Sequence, residues 1–430
     1  MAGEPPPTMI AVIPGRLMWA PECVDTASCT ATGTVVRAMN LISNTSGLYA
    51  VPHYPKQSYG RAFGPVALDK TIEFCSNLVK KLGEVAVDND EDGLPRSKCI
   101  VLTTPPYDVQ TRTNVVTMLG AYLVLRHGWS ATKVKQILGS DDAERRFACA
   151  WARSYRPEGK RHHRVIDCWA GIELARQLEW INPDVVAIES AKRAFCQQYH
   201  EWAHSYDAAW IVPGRIVVCA DPQTTVNATP TTFKQIFPEG TLSRTNSCAN
   251  SRGSPSGSAS SVSSHSSSGL SQAAWRSGSS SIQSFDDTQS TDTVCKDFTT
   301  FSFTETAQDS GTDEPRDFVT FLKDAGVRVM IRCNFDDEPG MPPTGGYDPE
   351  GMRENGIVHS DLNVPDYDGG LPTKHGYRAA IDLVAPVLDS NELPNAVAVH
   401  CKGGFGRSVV LACCVAIEKY DIPGDALMGW

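Results

Sequence analysis

Apolar residues along this chain fall into short β-branched blocks that alternate with longer stretches of helical period. Cys99-Ile100-Val101-Leu102 precedes an apolar run from Val115 to Leu125. Arg316 to Gly326 has helical spacing and is followed by Val327-Arg328-Val329-Met330-Ile331. Asn395 to Val399 is a buried-strand block followed, after a glycine-rich loop, by the apolar helix-length stretch Ser408 to Lys419. Phe195 to Tyr206 reads as one further helix. Strand-then-helix units of this kind predict an α/β fold built around central sheets. The alternation breaks once, over residues 223–312, where serine-rich polar runs such as Ser260 to Gly269 take over. Such a segment buries too little apolar surface to offset its ordering entropy. It is expected to be a disordered insert, serving either as an inert linker or as a phosphorylated regulatory or docking loop.

The rest of the composition narrows the class. At 430 residues the chain has room for two or three domains, and its 41% hydrophobic content is ordinary for a folded protein. The opening MAGEPPPTMI lacks the pattern of a signal peptide, and no apolar run is long enough to span a bilayer, so no membrane insertion is expected. Fourteen cysteines without a secretory leader point to a reducing compartment. They form no C-x-x-C pair, and His162-His163 in KRHHR reads as a solvated turn, so neither metal nor cofactor is expected. Asp336-Asp337-Glu338 likewise reads as a solvated loop. A net charge of −10 argues against nucleic acid as the main partner.

The chemistry concentrates in His400-Cys401-Lys402-Gly403-Gly404-Phe405-Gly406-Arg407-Ser408, an H-C-x5-R-S loop between a strand end and a helix start. Backbone N–H groups converge there and the helix dipole favours an anion. The glycines let the loop curl into a nest whose phosphate-binding positions run from Lys402 through Gly403, Gly404, Phe405 and Gly406 to Arg407. A cysteine with an ordinary pKa of about 8.5 is acidified in such a place, so Cys401 is expected to be a nucleophilic thiolate. Arg407 can return its planar fork over a phosphate. Ser408 can hydrogen-bond the sulfur as it leaves, and His400 reads as setting loop geometry. A bare C-x5-R-[ST] is weak; the preceding His, the glycines and the strand–loop–helix setting separate it from a glycine-rich turn over a buried cysteine.

A general acid is also needed. The turn-rich segment Val364 to Pro372 offers Asp368, in a D-G-x-x-P setting and preferred here, and Asp366 as the alternative. Turn capping is the competing reading of both. The chain also repeats itself weakly: Arg112-Thr113 followed by Val115-Val116 mirrors Arg407-Ser408 followed by Val409-Val410. In that register Pro106 stands where Cys401 stands, so the N-terminal copy should lack a nucleophile.

With these residues in view, the chain resembles the cell-division-cycle fourteen family of dual-specificity protein phosphatases, the mitotic-exit phosphatases. Its loop is similar to that family's H-C-K-A-G-L-G-R-T, and Asp368 to Pro372 is similar to its D-G-S-T-P. Phe63 to Leu68, Asn77 to Leu82, Leu119 to Tyr122, Ile166 to Cys168 and Trp210 to Arg215 extend the resemblance over most of the chain. It implies two tandem cysteine-phosphatase-like domains with a substrate groove between them. These would be an inactive one over 9–195, a linker helix over 196–208 and a catalytic one over 209–430 that carries the insert. It further implies phosphorylated proteins as partners, phosphoserine-proline sites and phosphotyrosine as substrates, a role in the cell cycle, and residence in nucleus and cytoplasm, with spindle or centrosome included. Oligomeric state is left open. Three departures stand out: Val409 replaces the usual glycine, the acid loop has an extra aspartate, and the family's glutamine-bearing loop is not found before Trp430, as in a truncated chain. These motivate the alternative of a pseudophosphatase that captures phosphorylated partners without turnover.

Overall fold

The computed structural model describes residues 9–21, 23, 26–30, 33–41, 65–85, 99–104, 109–139, 164–222, 318–339, 341, 346–366, 370–390, 394–404 and 406–430. The serine-rich stretch from 223 to 312, His162-His163, Phe63, Pro106, Asp368 and Phe405 lie outside the described residues.

The protein is a mixed α/β structure with two sheets flanked by helices. In the first half, β1 (Ile10–Ile13), β2 (Leu17–Ala20), α1 (Thr26–Thr30), β3 (Thr34–Arg37), α2 (Leu68–Val85), β4 (Ile100–Thr103), α3 (Val109–His127), α4 (Ala131–Leu138) and α5 (Val165–Gln177) follow one another. Then come α6 (Glu189–Tyr206), β5 (Ala209–Val212), β6 (Ile216–Cys219), α7 (Phe318–Asp324), β7 (Val327–Arg332), α8 (Glu350–Glu354), β8 (Val358–Asp361), α9 (Lys374–Leu388), β9 (Ala396–His400), α10 (Arg407–Tyr420) and α11 (Gly424–Gly429).

The two sheets repeat one plan. The first has the order β1-β2-β4-β3 and the second β5-β6-β9-β7-β8. In each, the opening hairpin is antiparallel and every other pairing is parallel. Both hairpins turn through similar residues, Ile13-Pro14-Gly15-Arg16 and Val212-Pro213-Gly214-Arg215. The two glycines take φ of +69° and +72°, a left-handed conformation that suits glycine. Arg16 and Arg215 each donate a backbone N–H back across the turn, at 3.0 and 2.9 Å. This second internal match is as legible in the sequence as the one around Arg112, and sequence reading passed over it. β4 and β9 hold equivalent central positions, and each is followed in the chain by a helix whose first turn carries an arginine, Arg112 in α3 and Arg407 in α10.

Packing follows the apolar pattern. All four residues of β4 and β6 and all five of β9 are buried, as expected of central parallel strands covered on both faces. In the first half, Trp169 donates its indole N–H to Thr117 O at 3.0 Å, across a helix contact that Gly120 makes possible. The second sheet buries Val397 and Val399 on one face and Ala396, Ala398, Val217 and Met330 on the other. Helix α6 supplies that second face: Tyr206 stacks on Phe321 at 4.1 Å between ring centroids, and Trp202 meets Phe321 edge-on at 4.8 Å. Sequence spacing predicts this helix over Phe195 to Tyr206, whereas it starts six residues earlier, at Glu189. The reason is local: a short 3-10 turn at Pro183–Val186, capped by Asn182, feeds directly into it, and Glu189 pairs with Lys192 in its first turn at 2.8 Å. Val409 does not disturb α10, whose start it joins while packing partly buried on the core.

Candidate functional site

The loop leaves β9 at Cys401 and enters α10 at Arg407, so its backbone wraps the N-terminus of a fourteen-residue helix. Gly404 adopts φ +74°, and a Cβ there would meet the backbone of Cys219 and Ala220 at 2.8–2.9 Å. That close approach draws the loop onto the end of β6, where Asp221 N–H reaches Lys402 O at 3.3 Å. Lys402 turns its ammonium to Pro339 O. Gly403 and Gly406 lie in the same loop, with Gly406 as the residue preceding the helix.

Cys401 is 3% exposed and its Sγ lies 3.4 Å from Ser408 Oγ, so the hydroxyl can hydrogen-bond a thiolate. Arg407 is buried as well. Its two terminal nitrogens donate to the two carboxylate oxygens of Glu338, both at 2.7 Å, a bidentate pair with side chains 4% and 8% exposed. One of them also donates to Val364 O at 2.9 Å, and Nε of Arg407 has no partner among the described residues. Asp366, exposed at the mouth, lies 3.5 Å from the other terminal nitrogen. The sequence reading of Asp336-Asp337-Glu338 as a solvated loop is therefore corrected at Glu338. Burial against Arg407, 69 residues away, overrides the local polarity that motivated it.

A buried polar network lies behind the loop. Tyr347 Oη stands 2.8 Å from His400 Nε2 and 2.7 Å from His359 Nε2. A tyrosine hydroxyl has one proton, so it donates to one ring and accepts from the other. His400 Nδ1 faces the Asp221 carboxylate at 3.8 Å, and Asn334 donates to the same carboxylate at 2.9 Å. Burial holds the pKa of His400 well below the usual histidine range, with the charges of His359 and Arg332 acting in the same direction. Burial also lowers His359 and raises Tyr347. His400 thus serves as a neutral strut between Asp221 and Tyr347. Arg332 closes the network, paired with Asp361 and Asp336 at 2.5 Å and lying over the Tyr347 ring at 5.0 Å.

Of the residues singled out in the sequence, Cys401, Lys402, Gly403, Gly404, Gly406, Arg407, Ser408 and Asp366 come together at this loop. Sequence reasoning missed Glu338, Asp221, Tyr347, His359 and Asn334. A carboxylate signal for Glu338 was present in the run it belongs to, but nothing local distinguishes a buried clamp from a solvated turn. Among the described residues no group of His, Cys, Asp and Glu side chains is arranged to hold a metal ion. No described helix is long and apolar enough to cross a membrane. An apolar cavity lined by Trp180, Phe195, Tyr199, Trp202, Trp210 and Trp430 lies between α5, α6 and α11, away from the loop.

Comparison with known proteins addresses mainly the first half. Residues 12–175 match the family described as dual specificity protein phosphatase, N-terminal half. The chain is 27% identical over 116 residues to "Dual specificity protein phosphatase CDC14B" of Mus musculus, covering 27% of this chain and 20% of that protein. It is 26% identical over 116 residues to "Dual specificity protein phosphatase CDC14C" of Homo sapiens, covering 27% and 22%. The match therefore spans about a fifth of the length of these relatives. Among solved structures, "Crystal Structure of PTPMT1" is 20% identical with a TM-score of 0.22, covering 25% of this chain and 66% of that one. A crystal structure of a mutant form of Tk-PTP is 15% identical with a TM-score of 0.22, covering 27% and 71%. Residues 12–175 are thus similar to the N-terminal half of dual-specificity phosphatases, and part of the chain is similar to these CDC14 proteins.

Proposed function

We propose that this chain is a protein phosphatase that hydrolyses phosphoserine, phosphothreonine and phosphotyrosine through a phosphocysteine on Cys401. The observation that carries the reading is the setting of Arg407. It is a buried guanidinium at the helix start above Cys401, fixed by Glu338, with Nε unpartnered among the described residues and Asp366 3.5 Å away. Such a fork holds the equatorial oxygens of a phosphoryl group and the charge that spreads over them in the transition state.

In the first step the Cys401 thiolate attacks phosphorus and the bond to the leaving oxygen breaks. An aspartic acid of the 366–368 segment gives that oxygen its proton. In the second step water attacks phosphorus, the same carboxylate takes the water proton, and the S–P bond breaks to release phosphate. Ser408, at 3.4 Å, stabilises the departing thiolate. Asp366 is the better-supported acid, since its carboxylate sits beside the guanidinium that would hold the substrate. The mechanism assigns no role to a metal. By family resemblance, the reading extends to serine-proline sites on cell-cycle proteins in nucleus and cytoplasm. It likewise takes residues 9–195 as a non-catalytic unit and 209–430 as the catalytic one.

Hydrolysis of a small aryl phosphate by the purified chain, beside Cys401→Ser and with a chelator present, tests the proposal. Chelator-resistant turnover that is lost in Cys401→Ser is the expected result. A wild-type chain that binds vanadate or a phosphopeptide yet leaves the ester intact would establish capture without turnover instead.

A further inference from the structure

Two cysteines of the first half stand sulfur to sulfur. Cys23 Sγ lies 3.1 Å from Cys29 Sγ, and both residues are buried. They form a small apolar cluster with Ala20 and Val101, separate from the main core, and Met9, Met18 and Val35 pack against it. Each sulfur rides on backbone that is held in place from elsewhere. Cys23 follows the end of β2, where Thr104 N–H donates to Ala20 O at 3.2 Å and Thr104 Oγ1 donates to Pro21 O at 2.8 Å. Cys29 sits in the last turn of α1, where Thr30 Oγ1 donates to Ala27 O at 2.7 Å. β2 and β3 are both parallel to β4 and flank it, so the connection carrying α1 crosses from one side of β4 to the other. Two cysteines packed only as small hydrophobes need burial, not contact between their sulfurs. From 3.1 Å, an approach of about 1 Å brings this pair to the roughly 2.05 Å of a disulfide.

We propose that Cys23 and Cys29 are a modification site of the first half, a dithiol that mild oxidation converts into a reducible disulfide stapling the end of β2 to α1. In the reducing compartment expected from the cysteine content, the resting form is the dithiol. The oxidant is hydrogen peroxide. Cys23 is 7% exposed and Cys29 fully buried, so Cys23 meets the oxidant first. The deprotonated Cys23 sulfur attacks one peroxide oxygen, the O–O bond breaks, and hydroxide leaves with the Cys23 proton as water. The product is a sulfenic acid on Cys23. The Cys29 sulfur then attacks the Cys23 sulfur, the S–O bond breaks, and the oxygen leaves as water with the Cys29 proton. Two thiols are oxidised, one peroxide is reduced, and two waters form. The bond closes a short loop, so its effect falls on the junction of β2 with α1 rather than on the chain as a whole. The proposal uses neither Cys401 nor turnover, and it stands or falls separately from the phosphatase reading.

Both cysteines fall on one tryptic peptide, Leu17 to Arg37, which holds no other cysteine. The folded full chain is exposed to a modest excess of hydrogen peroxide, the peroxide is removed with catalase, and free thiols are alkylated in denaturant. Mass spectrometry of the unreduced digest should find this peptide two hydrogens lighter and carrying no alkyl group. Dithiothreitol followed by alkylation should restore two alkyl groups. In Cys23→Ser and in Cys29→Ala the remaining cysteine should stay open to alkylation. Using one replacement at each position guards against a polar or a cavity defect in either one. Cys401→Ser should form the bond as the wild type does. The oxidised wild type should also melt at a higher temperature than the reduced chain, and Cys29→Ala should show no such shift. A peptide that keeps two alkylatable thiols, a link from Cys23 or Cys29 to another cysteine peptide, or a bond formed without a shift in melting would overturn the proposal.

Discussion

Replacing Glu338 by glutamine should cost activity out of proportion to the size of the change. The carboxylate takes two charge-assisted hydrogen bonds from Arg407, both at 2.7 Å, in a pair almost closed to water. The amide offers one oxygen, and its NH2 turns a donor towards the second guanidinium nitrogen. One such bond is worth about 1.5–3 kcal/mol. Val364 O still holds Arg407 at 2.9 Å, so the side chain is expected to stay in the site but lose its fixed plane. At about 1.36 kcal/mol per tenfold, the loss translates to a fall of about tenfold to a hundredfold in kcat/KM. The assay is steady-state hydrolysis of an aryl phosphate, with thermal unfolding to confirm that the variant is folded. Asp337→Asn, at an exposed neighbour, is the control and should remain within about twofold of wild type. A folded Glu338→Gln with the kcat/KM of the control would refute the claim that Glu338 orients Arg407.

Further outcomes follow from the same geometry. Asp366→Asn should slow hydrolysis of an alkyl phosphate by about a hundredfold or more while sparing an aryl phosphate with an acidic leaving group; equal losses on both would argue against its role as the acid. Gly404→Ala combines an unfavourable φ of +74° with contacts of 2.8–2.9 Å to the β6 end and Ala220 backbone, so vanadate binding should be largely lost, as measured by titration. Gly120→Val would drive a side chain into the Trp169 indole and should lower stability by about 1–3 kcal/mol in a denaturant melt, without a direct effect on the loop. His400 is neutral in the fold because burial depresses its pKa, while the unfolded chain takes up its proton near pH ~6.5. Below that pH the unfolded state binds more protons, so this contribution to stability is present at pH 7 and is lost on acidification. The urea midpoint of the wild type should therefore fall further between pH 7 and 5.5 than that of His400→Gln; an equal fall would contradict the neutral strut.

What could be read from the sequence was what is contiguous in it. The nucleophile loop, its strand and its helix occupy one uninterrupted stretch, and the structure shifts the strand and helix ends by only a residue, to Ala396–His400 and Arg407–Tyr420. The hairpin repeat of Val12 to Arg16 and Ile211 to Arg215 is equally contiguous, but it carries no nucleophile or acid to single it out. Glu338, Tyr347 and Asp221 were not legible in the same way. Each is a polar residue in a turn-rich segment, and each becomes a buried partner of the loop only when parallel strands bring their ends together.

The central claim is that phosphate passes through the Cys401 sulfur. The most direct measurement is acid quenching of the chain during turnover of an aryl phosphate, followed by mass spectrometry of its tryptic peptides. The account predicts one phosphoryl group on the peptide ending in Cys401-Lys402, absent in Cys401→Ser. Turnover that leaves this peptide unmodified, or that survives in Cys401→Ser, would contradict it.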